Sequence, residues 1–166
     1  MSTNQDVVEL ILEDHRTMED LLRLMRSIEA DRRAALHHFA DLFVAHGVAE
    51  ASVVYPVLTT HQERESVDAD IAAHDVAGHR DGVMVLLALL GIDEIGSYEW
   101  DWRLRQLSVV VSRHADEEEL TLLNGACRRL SRTQRVDLGA AFVGTRSRLL
   151  GSGCGDVSSL RGMVRI

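Results

Sequence analysis

Four stretches of the chain place apolar residues three and four positions apart, the stripe by which an amphipathic helix faces a core. Between Asp6 and Ala30 the stripe is Val8, Ile11, Leu12, His15, Met18, Leu22 and Met25. After the polar break Asp31-Arg32-Arg33, a second helix carries Leu36, Phe39, Phe43, His46, Glu50, Val53 and Val57. Pro56 has no N–H to donate and disturbs the preceding turn, so this helix is expected to kink or begin to end near Tyr55. The polar run from Thr59 to Ser66 precedes a third helix with Ile71, His74, Ala77, Gly78, Val85 and Leu89 on one face. A loop with glycine at both ends, Gly91 to Ser97, leads to a fourth helix starting near Ser97. That helix runs through Trp100, Leu104, Leu107, Val110, Val111, His114, Glu118, Thr121 and Leu122 and fades near Arg128-Arg129, where cationic side chains suit a helix C-terminus. Thr133 to Leu150 reads as a short fifth helix with Val136, Ala140 and Val143 on one side, and Gly151-Ser-Gly-Cys-Gly reads as a flexible tail.

Alternating β-branched segments are scarce, so the expected class is all-α. Short connections make neighbouring helices antiparallel, giving an up-down-up-down four-helix bundle over residues 1–130, followed by a short helix and flexible Gly/Ser tail over 131–166. A chain of 166 residues can bury one core without staples. Its 18 basic against 26 acidic residues give a net charge of -8, with no dense basic cluster, so nucleic acid and anionic membrane are poor partners. Cys127 and Cys154 lack CxxC spacing, and the N-terminus has no leader pattern; a reducing cytoplasm fits both. The apolar run Val83 to Ile92 is well short of the ~20 residues that span a bilayer and reads as a buried helix. A monomer or weak homo-oligomer is expected.

The chemistry lies in the polar residues that interrupt the apolar stripes. His46 and Glu50 are four residues apart, as are His114 and Glu118, so each pair projects from one helix face about 6 Å apart along the axis. Depth in the bundle brings them together. Counted from the turn near residue 31, His15 and His46 each lie about 15 residues away; from residue 62, Glu50 and His74 each lie about 12; from residue 94, His74 and His114 each lie about 20. All therefore fall in one layer. Buried unpaired carboxylates are costly, and two glutamates among four histidines call for a compensating charge that a pair of cations would supply. His37, His38 and His61 read as solvated, and Met18 and Met25 as core. Within the acidic run Asp116 to Glu119, only Glu118 shares a face with His114. His79 follows His74 by five residues, which points it roughly 140° away on an ideal helix. Tyr55 is off the ideal face as well, although the adjacent proline can turn it inward toward a metal or its bound ligand.

The set His15, His46, Glu50, His74, His114, Glu118 resembles the hemerythrin-like family, specifically its HHE cation-binding branch, over roughly residues 5 to 130. The Tyr55-Pro56 ending after HxxxE is also similar to that branch, and Ala73-His-Asp-Val-Ala-Gly-His79 is similar to its actinobacterial members. The resemblance implies a non-haem di-iron centre, two iron ions joined by an oxo or hydroxo bridge, with Glu50 and Glu118 as bridging carboxylates and the histidines as terminal ligands. Imidazole and carboxylate without thiolate suit such iron.

Two departures from the family's oxygen carriers matter. Gly78 stands where they place a second histidine on the third helix, and the last motif is HxxxE rather than HxxxxD. Fewer imidazoles leave more exchangeable positions, which favours turnover over storage. Ferritin-like oxidases need Glu-x-x-His, whereas Leu12, Phe43, Ile71 and Val111 occupy the positions three before the histidines. Zinc hydrolysis would want HExxH, which is absent. The resemblance to the actinobacterial-looking branch, some of whose members are associated with hydrogen peroxide decomposition, implies disproportionation of hydrogen peroxide as the expected activity, with Tyr55 as proton or hydrogen-bond donor. The alternative is a protein that binds or senses dioxygen, nitric oxide or iron without turnover.

Overall fold

The computed structural model describes the backbone of residues 5–60 and 67–164 and the side chains of 5–58 and 76–164. Helices and no strands are found among the described residues, as the all-α expectation required. Helix α1 is Val7–Leu24. Helix α2 covers 32–60 as Arg32–Ala49, a π-helical turn Glu50–Val54, and Tyr55–Thr60. Helix α3 is Val67–Leu90. Helix α4 covers 98–129 as Tyr98–Glu118, a second π turn Glu119–Leu123, and Asn124–Arg129. Helices α5 and α6 are Arg132–Ser152 and Val157–Val164.

The helix starts are set by side-chain caps. Asp6, Asp31 and Ser97 each accept a backbone N–H from the first turn, from Val8, Ala34 and Trp100 respectively. Helix α1 stops at Leu24 rather than Ala30, because Arg26 and Ser27 bond back only three residues and Ile28 is exposed beyond the last buried position, Met25. Helix α2 is disturbed just before Tyr55, where a kink or the start of its end is expected, and continues through Pro56 to Thr60. The widened turn before the proline, in which the Tyr55 N–H bonds the Glu50 carbonyl, absorbs the disturbance.

The apolar core forms two clusters, and the polar layer lies between them. One cluster holds Met18, Phe39, Phe43, Leu86, Trp100 and Leu104; the other holds Val7, Ile11, Val54, Leu122 and Phe142. On α1 the changeover falls between Ile11 and Met18, on α2 between Ala45 and Ala49, and on α4 between Val111 and Leu122. These intervals contain His15, His46 and the His114–Glu118 pair.

In place of the expected short helix and flexible tail, the described residues 131–164 hold two helices. Helix α5 has 21 residues, opens on a capping box formed by Ser131 and Gln134, and buries Phe142 in the second cluster. Gly153, at φ 66°, closes it in the left-handed conformation that glycine tolerates. Gly155 then donates to the Asp41 carboxylate at 2.7 Å, and a Cβ there would meet the Asp41 backbone N at 2.4 Å. This close approach seats α6, whose Leu160 is fully buried in the first cluster. The glycines that resemble a linker are a helix cap and a docking point.

By length and composition Arg32–Leu58 could cross a bilayer, but more than half of its most apolar window is buried inside the protein, as a central core helix requires.

Candidate metal centre

His46 and Glu50 lie on α2, and His114 and Glu118 on α4, each pair one turn apart on a buried helix face. His15 joins them from α1. One ligand atom from each of His15, His46, Glu50 and Glu118 falls within 4.8 Å of all the others, and all four residues are buried. His46 Nε2 is 3.2 Å from Glu50 Oε2, and His15 Nε2 is 3.3 Å from Glu118 Oε2. Both imidazole Nε2 atoms are buried and without a hydrogen bond among the described residues.

The structure adds His79, which the helical-wheel argument turned away from the site. Its Nε2 is 3.3 Å from Glu50 Oε2 and 3.2 Å from His114 Nε2, and the His79 and His114 rings are 4.2 Å apart. The angle was measured from His74, whose side chain lies outside the described residues, as does His61. A better frame was present in the chain: His79, Val83 and Leu86 are spaced four and seven apart, and both apolar members are buried. Gly47 and Gly78 gave a second signal. A Cβ on Gly47 would come within 2.8 Å of the His79 ring, and one on Gly78 within 2.6 Å of His114 Nδ1, so each helical glycine marks a neighbouring imidazole.

Among the described residues, each glutamate has two histidines beside it. His46 and His79 flank Glu50 Oε2, while His15 flanks Glu118 Oε2 at 3.3 Å and His114 at 3.9 Å. Two donors each about 2.1 Å from one ion lie about 3.0–3.4 Å apart at angles between octahedral and tetrahedral, close to most of these separations. A void of about 10 Å³ sits among His15, His46, His79 and His114. The nitrogen and oxygen donors, the unbonded Nε2 atoms and the void all fit a cation. Two fully buried glutamate side chains also suit a cation, since a carboxylate is held in a low-dielectric interior by compensating charge and hydrogen bonds.

The outer contacts are equally ordered. Asp14, 4% exposed, accepts from His46 Nδ1 at 3.1 Å. Glu119 accepts from His15 Nδ1 at 2.9 Å, so it serves the site instead of facing only solvent. Partner carboxylates of this kind fix which imidazole nitrogen is available to a metal. Asp14 escaped the sequence reading although it follows Leu10 by four residues in the buried register of α1. The Tyr55 hydroxyl is 3.5 Å from Glu50 Oε2. The π turn explains its approach: one inserted residue gives Tyr55, five beyond Glu50, the facing normally held at four. His37 and His38 are exposed.

The family model for the hemerythrin HHE cation binding domain matches residues 6–125. The chain belongs to this family. No curated protein and no solved structure matches it. As a hemerythrin-like metal-binding protein it carries its buried histidine and glutamate cluster inside the matched segment. Helices α5 and α6 lie outside that segment.

A cavity of about 390 Å³ opens between α2 and α3 and reaches this hemerythrin-like centre from one side. Gly47, Ala51, the exposed Val76 and Met163, and the more deeply buried Tyr55 and His79 line it.

Proposed function

We propose that the protein holds two iron ions and disproportionates hydrogen peroxide, two H2O2 giving two H2O and one O2. Glu50 with His46 and His79, and Glu118 with His15 and His114, would hold the two ions. His74 is retained as a further candidate ligand from the family resemblance. When bound, the iron pair supplies two-electron exchange with peroxide.

The observation that carries the reading is Tyr55. Tyr55 lines the cavity and its hydroxyl is 3.5 Å from Glu50 Oε2, a position that a molecule entering toward the centre would meet. There the phenol can donate a hydrogen bond or a proton to an oxygen of the peroxide that is reduced to water and regain a proton from the second peroxide as it is oxidised to O2, a role that requires only this position. The apolar cavity walls admit a small neutral molecule and keep bulk water from the carboxylates. Reaction in the cytoplasm, as a monomer or weak homo-oligomer, belongs to the same proposal.

Iron per chain and peroxide-driven oxygen evolution, measured on one purified sample, test it. Two irons with rapid evolution, slowed in Tyr55→Phe at unchanged iron content, is the expected result. Two irons without evolution overturn it. Reversible dioxygen or nitric oxide spectra would then favour binding or sensing, which the apolar character of the cavity also suits.

A further inference from the structure

His46 is held from behind by a helix that the family match does not include. Its Nδ1–H donates to Asp14 Oδ2 at 3.1 Å, and the other oxygen of Asp14 accepts from Arg146 Nη1 on α5. Asp14 and His46 are 4% and 1% exposed, so the carboxylate has a cation on one side and an imidazole on the other in a largely dry setting. The same helix supplies Phe142, fully buried, whose ring meets the His46 ring edge-on at 6.0 Å and 86°. The Arg146 guanidinium lies over the Phe142 ring at 5.6 Å. One face of α5 thus fixes both the hydrogen bond behind His46 and its ring plane. The counterpart behind His15 is different, because Glu119 has a side chain 42% exposed.

We propose that α5 is a working part of the metal centre, with Arg146 a positioning residue that acts through Asp14 to keep His46 Nε2 aimed at Glu50. The inference rests on the metal-binding reading. Without the guanidinium, Asp14 would keep a buried charge with one partner fewer, and its carboxylate would be free to rotate or draw in water. His46 would then lose the fixed donor geometry that outer carboxylates impart to metal-ligating imidazoles.

The test uses the full chain, stripped of metal and titrated with Co(II) against a competing chelator, with the ligand-field spectrum recorded at saturation. Arg146→Gln should weaken Co(II) binding about 10–100-fold, the usual effect of losing such an outer partner, and shift the spectrum. Arg146→Lys, which restores a cation without the planar fork, should recover part of the affinity. Arg135→Gln is the control: Arg135 ties the start of α5 to Asp6 at 2.7 Å and has no candidate ligand among its hydrogen-bond partners in the described residues, so it should leave affinity and spectrum unchanged. The proposal is overturned if Arg146→Gln binds within twofold of the parent with a superimposable spectrum. An equal loss in Arg135→Gln also overturns it, since general loosening of α5 would then account for the effect. A parent protein that binds no Co(II) or iron sinks the metal-binding reading itself, a result separable from both.

Discussion

Replacing Gly78 by alanine sets a gain in helix stability against a collision with a histidine of the metal centre. In an open helix interior, glycine to alanine stabilises by about 0.5–1 kcal/mol. At position 78 the added Cβ would lie 2.6 Å from His114 Nδ1 and 3.3 Å from two further atoms of that ring. The first contact is about 0.8 Å short of an ordinary one. His114 cannot yield freely, because its other side faces the His79 ring at a centroid distance of 4.2 Å. Overpacking of this kind costs about 1–3 kcal/mol. Gly144 provides the comparison: it is exposed within α5, and an added Cβ meets nothing within 4 Å. Gly144→Ala should therefore show the propensity gain alone. Gly78→Ala should melt roughly 2–12 °C below Gly144→Ala in the metal-free state, at 2–4 °C per kcal/mol for a domain of this size. It should also bind Co(II) more weakly, because His114 is displaced. If Gly78→Ala melts as high as Gly144→Ala and takes up Co(II) with the parent's affinity, the close packing of His114 on α3 is wrong.

Removing metal should lower stability, because the folded state alone assembles the donors; at a thousandfold excess over the dissociation constant, one bound ion adds about 4 kcal/mol, roughly 8–16 °C in a melt. Equal melting with and without metal would contradict a site that binds only the folded chain. Cys127 is exposed and should alkylate quickly, whereas Cys154 is buried with its thiol on the Asp41 carbonyl and should react only on unfolding. Burial pushes the Cys154 thiol up. Its contribution is therefore complete below the unfolded thiol's ordinary range and is lost as pH rises through the raised folded value, so Cys154→Ala should show a shallower alkaline decline in melting temperature. Ser131→Ala removes one half of the capping box on α5 and should cost about 1 kcal/mol, read as a small drop in urea midpoint at unchanged slope.

Helical periodicity determined what was local. The spacing of four that puts His46 with Glu50 and His114 with Glu118 on one face follows from backbone geometry, and the serine and aspartate caps follow from the unpaired N–H groups of a first turn. Equal counting from each turn placed His15 at the same depth, because a rigid rise per residue converts sequence distance into height. The all-α class and the burial of both glutamates needed no more than that.

Tertiary structure decided everything that depends on two helices approaching each other or on a local change of pitch. His79 reaches Glu50 because Gly47 and Gly78 leave room for imidazoles between neighbouring helices. Tyr55 turns toward Glu50 because a π turn inserts one residue before Pro56, which an ideal-helix count does not include. Asp14, Phe142 and Arg146 meet behind His46 although 132 residues separate the first from the last. The glycines after α5 become a cap and a docking point only when Asp41 lies opposite them. Periodicity assigns a side chain to a face of its own helix; contact also requires the rotation, crossing and separation of a second helix, and those are set by packing across the whole core.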